Sequence, residues 1–123
     1  MDEHEFKNRT KKLALRVIRL VGTLPNSYVA EVIGKQLLRS ATSVGANYRA
    51  ACRGKSTADL IAKLGIVMEE ADECLYWMEL LVEAELVPGE KLKSLMSETN
   101  EILSMTVASI KTLRAKSTPK SKI

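Results

Sequence analysis

The sequence predicts an all-α protein, an antiparallel up-down-up-down four-helix bundle, from three observations. Apolar residues recur at steps of three and four along four successive segments, the spacing that gathers them on one side of an α-helix. The three prolines, Pro25, Pro88 and Pro119, fall between or beyond those segments. No run alternates polar and apolar residues between turn signals, so no strand is predicted. Short turns between amphipathic helices favour antiparallel neighbours. Each helix alone is marginal in water, so packing of the four stripes must supply the stability.

The first helix is predicted over about 8–23. Leu13, Val17, Leu20 and Leu24 make its apolar stripe, and Pro25 stops it because the residue before a proline disfavours the α region. The second runs over about 28–53, with Ile33, Leu37, Ser40, Ala41, Val44, Tyr48 and Ala51 facing inward. Its middle, Ser40-Ala41-Thr42-Ser43-Val44-Gly45-Ala46, is built of small residues that let a neighbouring backbone come close. A break at Gly45 is the competing reading, since glycine costs roughly 1 kcal/mol of helix propensity relative to alanine.

Arg53-Gly54-Lys55-Ser56 reads as a turn. Ser56 followed by Asp59 fits an N-cap in which the hydroxyl takes an unpaired backbone N–H and the carboxylate reaches back. The third helix then extends to about Leu86, a rod of about 45 Å. Ile61, Leu64, Met68, Ala71, Leu75, Met78 and Val82 form a heptad seam along it. Val87-Pro88-Gly89 turns the chain into the fourth helix, whose stripe is Leu92, Leu95, Thr99, Ile102, Thr106, Ile110 and Leu113. The bundle thus occupies residues 1–114, and residues 115–123, rich in Lys and Ser, are expected to be a mobile basic tail.

Composition narrows the function. The chain has 123 residues, 46% apolar and 28% charged, enough for one continuous core and too apolar for disorder. No stretch approaches ~18 uninterrupted apolar residues, so no membrane span is expected. The polar, acidic Met1-Asp2-Glu3-His4-Glu5 does not resemble a secretory signal. Two cysteines make no disulfide framework, and one histidine leaves little for a metal site. An intracellular, cytoplasmic domain is therefore expected.

No constellation for catalysis is present. Glu69, Glu70 and Glu73 cluster on the third helix, but a di-iron bundle needs Glu-x-x-His pairs and the one histidine is His4. Cys52 has Arg49, Arg53 and Lys55 nearby, yet no histidine to serve as its base. Phosphate loops and Ser-His-Asp sets are missing. A non-enzyme without cofactor, metal or small-molecule substrate is expected.

Charge is segregated along the chain. Residues 1–55 carry 11 Lys and Arg against 4 Asp and Glu, residues 56–110 carry 3 against 11, and residues 111–123 carry 5 against none. Such asymmetry points either to an anionic partner or to neutralisation within the fold. Arg9, Lys12, Arg16 and Arg19 form a stripe about 100° from the apolar face of the first helix. Lys35, Arg39, Arg49 and Arg53 share the outer face of the second, with Arg39 and Arg49 about 15 Å apart. Rows of guanidinium groups suit a phosphate backbone. With few aromatics among them, base reading has weak support. An ordinary solvated surface and ion pairing with another subunit are the alternatives.

Tyr76 and Trp77 point away from the heptad seam. Cys74, Trp77, Leu81 and Ala84 make a second apolar strip there, which covers either a loop or terminal segment or another subunit; the subunit contact is the favoured reading, with Tyr76, Trp77 and Leu81 as its candidates. A homo-oligomer is expected.

Three blocks carry a family resemblance: Phe6-Lys7-Asn8-Arg9-Thr10; Gln36-Leu37-Leu38-Arg39-Ser40-Ala41-Thr42-Ser43-Val44-Gly45-Ala46-Asn47-Tyr48-Arg49; and Ser56-Thr57-Ala58-Asp59 through Lys63 to Glu70-Ala71-Asp72-Glu73-Cys74-Leu75-Tyr76-Trp77. Over about residues 5–110 the chain resembles the four-helix-bundle proteins encoded within intervening sequences of bacterial 23S ribosomal RNA genes. The resemblance implies a pentameric ring. It also implies kinship with the accessory variability protein of diversity-generating retroelements, a pentamer that binds nucleic acid and a reverse transcriptase. Ala50 departs from the family pattern, which carries Glu after the Tyr-Arg pair, so any contact made by that carboxylate is absent here.

Two readings of function follow. The first is a non-enzymatic oligomer that binds RNA or DNA through Arg9, Lys12, Arg16, Arg19, Arg39, Arg49 and Arg53, aided by the tail lysines. The second is a protein-interaction scaffold or accessory subunit, for example for a reverse transcriptase. An RNA-processing enzyme has no residue support.

Overall fold

The structure, a computed structural model, describes residues 2–117. It consists of four helices, α1 (Glu3–Val21), α2 (Tyr28–Cys52), α3 (Thr57–Glu83) and α4 (Gly89–Ser117). No strand occurs among the described residues.

Cross-helix neighbours show that consecutive helices run in opposite directions. A Cβ at Gly34, early in α2, would lie 2.8 Å from Leu24 Cδ1 just past α1, whereas one at Gly45, late in α2, would lie 3.3 Å from Thr10 Oγ1 early in α1. Tyr48 and Cys52 near the end of α2 share a cavity wall with Leu60 and Leu64 near the start of α3, and with Thr112 and Leu113 late in α4. At the other end of the bundle, a Cβ at Gly89 would lie 3.5 Å from Val82. Arg9 reaches Glu98, and Arg16 reaches Ser94, so α1 and α4 are antiparallel as well. The α1–α4 front is less closely packed than the three between consecutive helices.

α2 passes unbroken through Gly45. The absent side chain is what lets Thr10 of α1 approach it, so the close-packing reading of the small-residue segment holds and the break does not.

The helix ends follow local chemistry. α1 begins five residues before the predicted start, because Asp2 caps it by accepting from the His4 and Glu5 N–H groups at 2.8 and 3.4 Å. Glu3 and Glu5 in that first turn complement the positive end of the helix. The extra turn buries Phe6. Ser27 caps α2 through the Ala30 N–H at 3.2 Å. At α3 the predicted cap is present: the Asp59 N–H donates to Ser56 Oγ at 3.1 Å. The carboxylate reaches back to the Lys55 N–H, also at 3.1 Å, one residue earlier than the standard capping box. Lys63 beside Asp59 holds its carboxyl below the usual carboxylate range, helped by that backbone bond. Ser56→Ala is expected to cost about 1 kcal/mol, read as a lower urea midpoint with an unchanged m-value. α3 stops before the predicted Leu86 because Glu85 adopts φ 59°, and the Leu86 N–H closes on the Leu81 carbonyl at 2.9 Å, a left-handed helix stop.

The core is contributed by all four helices. Leu13 and Val17 of α1, the predicted α2 stripe from Ile33 to Ala51, and Leu92, Leu95, Ile102 and Ile110 of α4 are buried. Thr99 and Thr106 sit among them because their hydroxyls donate to the Leu95 and Ile102 carbonyls, each at 2.8 Å, which satisfies the buried groups locally.

α3 differs from its predicted face. Leu64, Val67, Ala71, Cys74, Met78 and Leu81 are buried, while Ile61, Met68, Leu75 and Val82 of the proposed seam are only half-buried. α3 packs on both α2 and α4, so its apolar face is wider than one heptad seam. Of the supposedly spare strip, Cys74 and Leu81 belong to the core, Trp77 is half-buried against it and Ala84 is exposed.

α4 runs three residues beyond the predicted boundary at 114, to Ser117. The remainder of the basic tail, 118–123, lies outside the described residues.

Candidate nucleic-acid interface

The packing of α1 between α2 and α4 sorts its cations into two groups. Arg9 turns toward α4 and is half-buried there. Its Nε donates to Glu98 Oε2 at 3.0 Å and its Nη2 to Glu98 Oε1 at 2.8 Å, and Glu101 lies 2.9 Å away. Its hydrogen bond to Glu98, with that to Glu101 adding to it, holds this guanidinium still further above its ordinary pKa. Arg16 donates to Ser94 Oγ at 3.1 Å. Lys12 and Arg19, at the outer edge of the same stripe, are exposed and have no hydrogen bond or ion pair among the described residues.

The α2 cations divide in the same way. Arg39 turns toward α3, with Nη1 3.2 Å from Glu70 and Nη2 2.7 Å from Glu73. Lys35 forms an exposed pair with Glu31 at 3.2 Å, a contact of little energetic weight. Arg49 and Arg53 are exposed without a partner among the described residues. Internal neutralisation therefore claims Arg9 and Arg39, while Lys12, Arg19, Arg49 and Arg53 face outward.

A groove of about 410 Å³ opens between α1 and α2. Lys7 and Lys11 stand on its α1 wall and Arg49 on its α2 wall, over a floor of Ala14, Gly45 and Ala46. Among the described residues no carboxylate lines it. Lys7 pairs with Glu3 at 3.0 Å across an exposed turn, while Lys11 has no partner among the described residues. The sequence reading missed Lys7 and Lys11, because membership of a groove depends on how the neighbouring helix is rotated. Their i, i+4 spacing was the available signal.

Other candidates fall elsewhere. Glu70 and Glu73 are occupied by Arg39, and among the described residues no group of three His, Cys, Asp or Glu is placed to hold a metal ion. Cys74 is buried, which pushes its thiol pKa up to about 12, with the Glu70 and Glu73 charges acting in the same direction. Cys52 is half-buried and lines a cavity of about 800 Å³ beside Tyr48, whose hydroxyl pKa is raised by burial. No helix among the described residues is long and apolar enough to cross a membrane.

The candidate subunit-contact residues separate. Leu81 is fully buried within the protomer, so it is a core residue and not a surface contact. The reason is the wide apolar face of α3. Trp77 is half-buried against the core, and its Nε1 is buried without a hydrogen-bond partner among the described residues. Tyr76 remains 53% exposed and meets the Trp77 ring edge-on at 5.0 Å.

Comparisons with known proteins agree with this architecture. The family model described as 23S rRNA-intervening sequence protein matches residues 2–108. A crystal structure from Bacteroides thetaiotaomicron, of a protein of unknown function from the S23 ribosomal protein family, is 38% identical with a TM-score of 0.83. The match covers 90% of this chain and 99% of that one. No curated protein matches.

Proposed function

The chain belongs to the 23S rRNA-intervening sequence protein family, and from that premise we propose that it is a non-enzymatic oligomer that binds RNA or DNA through the cations of α1 and α2. The observation that carries this reading is the set of outward cations without carboxylate partners among the described residues: Lys12, Arg19, Arg49 and Arg53. Arg16, held only by a serine hydroxyl, joins them. Arg9 and Arg39 instead brace the bundle. Phosphates neutralised by such groups release counterions, so binding is backbone-directed and salt-sensitive. Assembly multiplies these contacts by avidity. The pentameric ring follows from the family resemblance, with Tyr76 as the exposed contact candidate, and the cytoplasm is the proposed location.

Fluorescence polarisation with labelled RNA tests the reading. Four phosphate contacts to a single strand weaken binding about 50-fold between 50 and 200 mM salt. Absence of binding at 50 mM, or binding indifferent to salt, refutes it. The scaffold reading is favoured by a different observation, the exposed Tyr28, Val29 and Val32 at the start of α2. Under it, a specific polypeptide is recovered by pull-down and charge reversal of Arg19 and Arg49 leaves RNA behaviour unchanged.

A further inference from the structure

We propose that the groove between α1 and α2 seats a single strand of nucleic acid, with phosphates held between Lys7, Lys11 and Arg49 and bases turned toward Leu15 and Ile18. This inference rests on the nucleic-acid reading and specifies the form of ligand and the place where it lies.

Two features of the surface carry it. The first is the groove itself, where cations from two helices face each other over small residues and, among the described residues, no carboxylate lines the space between them. Lysines on one wall and a guanidinium on the other can engage successive phosphates from both sides, and the Ala and Gly floor lets the backbone come close. The second is what continues the α1 wall. Lys7, Lys11, Leu15 and Ile18 step by four, four and three, so they form one stripe about 16 Å long. Leu15 and Ile18 are 42% and 49% exposed. Water-facing aliphatic groups in line with cations match a ligand that is anionic along one edge and apolar along the other. A single strand offers this, because its unstacked bases are open. A duplex hides its base faces and offers phosphates alone, which leaves the aliphatic half of the stripe without a counterpart.

The test compares a labelled 12-nucleotide oligouridine with a 12-base-pair RNA duplex in polarisation titrations from 50 to 200 mM salt. The variants are Lys11→Ala/Arg49→Ala, Ile18→Ser and, on α4, Lys91→Ala, with thermal melting to confirm that all four proteins are folded. The single strand is expected to bind more tightly than the duplex. Each groove cation removed lowers the salt slope by about 0.7 and the single-strand affinity about fivefold at 0.1 M. Ile18→Ser weakens the single strand and not the duplex, and Lys91→Ala changes neither. If the natural chain binds both RNAs but the groove variants match Lys91→Ala, the groove assignment is overturned and the broader reading stands on Lys12, Arg16, Arg19 and Arg53 without Arg49. Equal displacement of the oligouridine by polyglutamate and by unlabelled RNA also overturns it, in favour of an acidic protein occupant. No binding of either RNA at 50 mM removes the broader reading and this inference together.

Discussion

Phe6→Ala lowers the stability of the bundle by about 3–5 kcal/mol, the usual cost of emptying a large aromatic site in a core. Phe6 is fully buried, and its ring meets Tyr48 edge-on with centroids 4.6 Å apart. It stands one helical turn from the start of α1 and ties that end to α2. The cavity left behind cannot collapse easily, because Thr10 is already packed against the backbone at Gly45. Urea unfolding followed by circular dichroism measures the loss, and a change below about 1 kcal/mol would show that the first turn of α1 contributes little. Lys7 and Lys11 are carried on this same stretch, so the variant should also weaken RNA binding at temperatures where the rest of the fold persists.

Arg39→Ala is expected to destabilise the protein by about 2 kcal/mol. The substitution strips the counter-charge from Glu70, a carboxylate only 8% exposed, and breaks a second ion pair, to Glu73. Breaking a fully buried pair costs about 3–5 kcal/mol. The guanidinium is half-exposed, so water screens part of the interaction and lowers the figure. Pairing the change with Glu70→Gln removes the stranded charge and should restore about half of the loss. A double-mutant cycle by denaturant titration checks this, and strict additivity of the two changes would show that Arg39 and Glu70 are not energetically coupled.

Much of the fold was legible because each helix declares itself locally. The α2 stripe read from the sequence is buried, as is the α4 stripe apart from half-buried Leu113, and the Ser56 cap is where its spacing placed it. The first turn of α1 was missed although its signals were present in Asp2, Glu3 and Glu5. An apolar stripe counted from Leu13 leaves that turn outside the helix, where its acids look like mere polarity. α3 was misread for a different reason. A seven-residue repeat accounts for one interface, and a helix wedged between two partners buries both sides of that repeat. Cys74 and Leu81 therefore looked spare when they were central.

The candidate interface was less legible than the fold. The sequence shows which residues are cationic and which share a helical face. It does not show that Glu98 and Glu101, some ninety residues away, lie beside Arg9, or that Arg39 spans two carboxylates of α3. Nor does it show Lys11 and Arg49 brought to opposite walls of one groove. Each is set by the rotation of one rod against another, which depends on the packing of the whole core.

The Arg9–Glu98–Glu101 cluster, with Arg16 on Ser94, lies along the most loosely packed of the four helix fronts. Such a seam behaves as a latch. Its partly exposed ion pairs weaken in brine, whereas the greasy fronts do not, so local opening starts where the first and last helices meet. Amide hydrogen exchange would find α1 protons quickening with ionic strength before those of α3. The same ions that would screen the proposed polyanion thus also slacken the rod whose lysines would meet it.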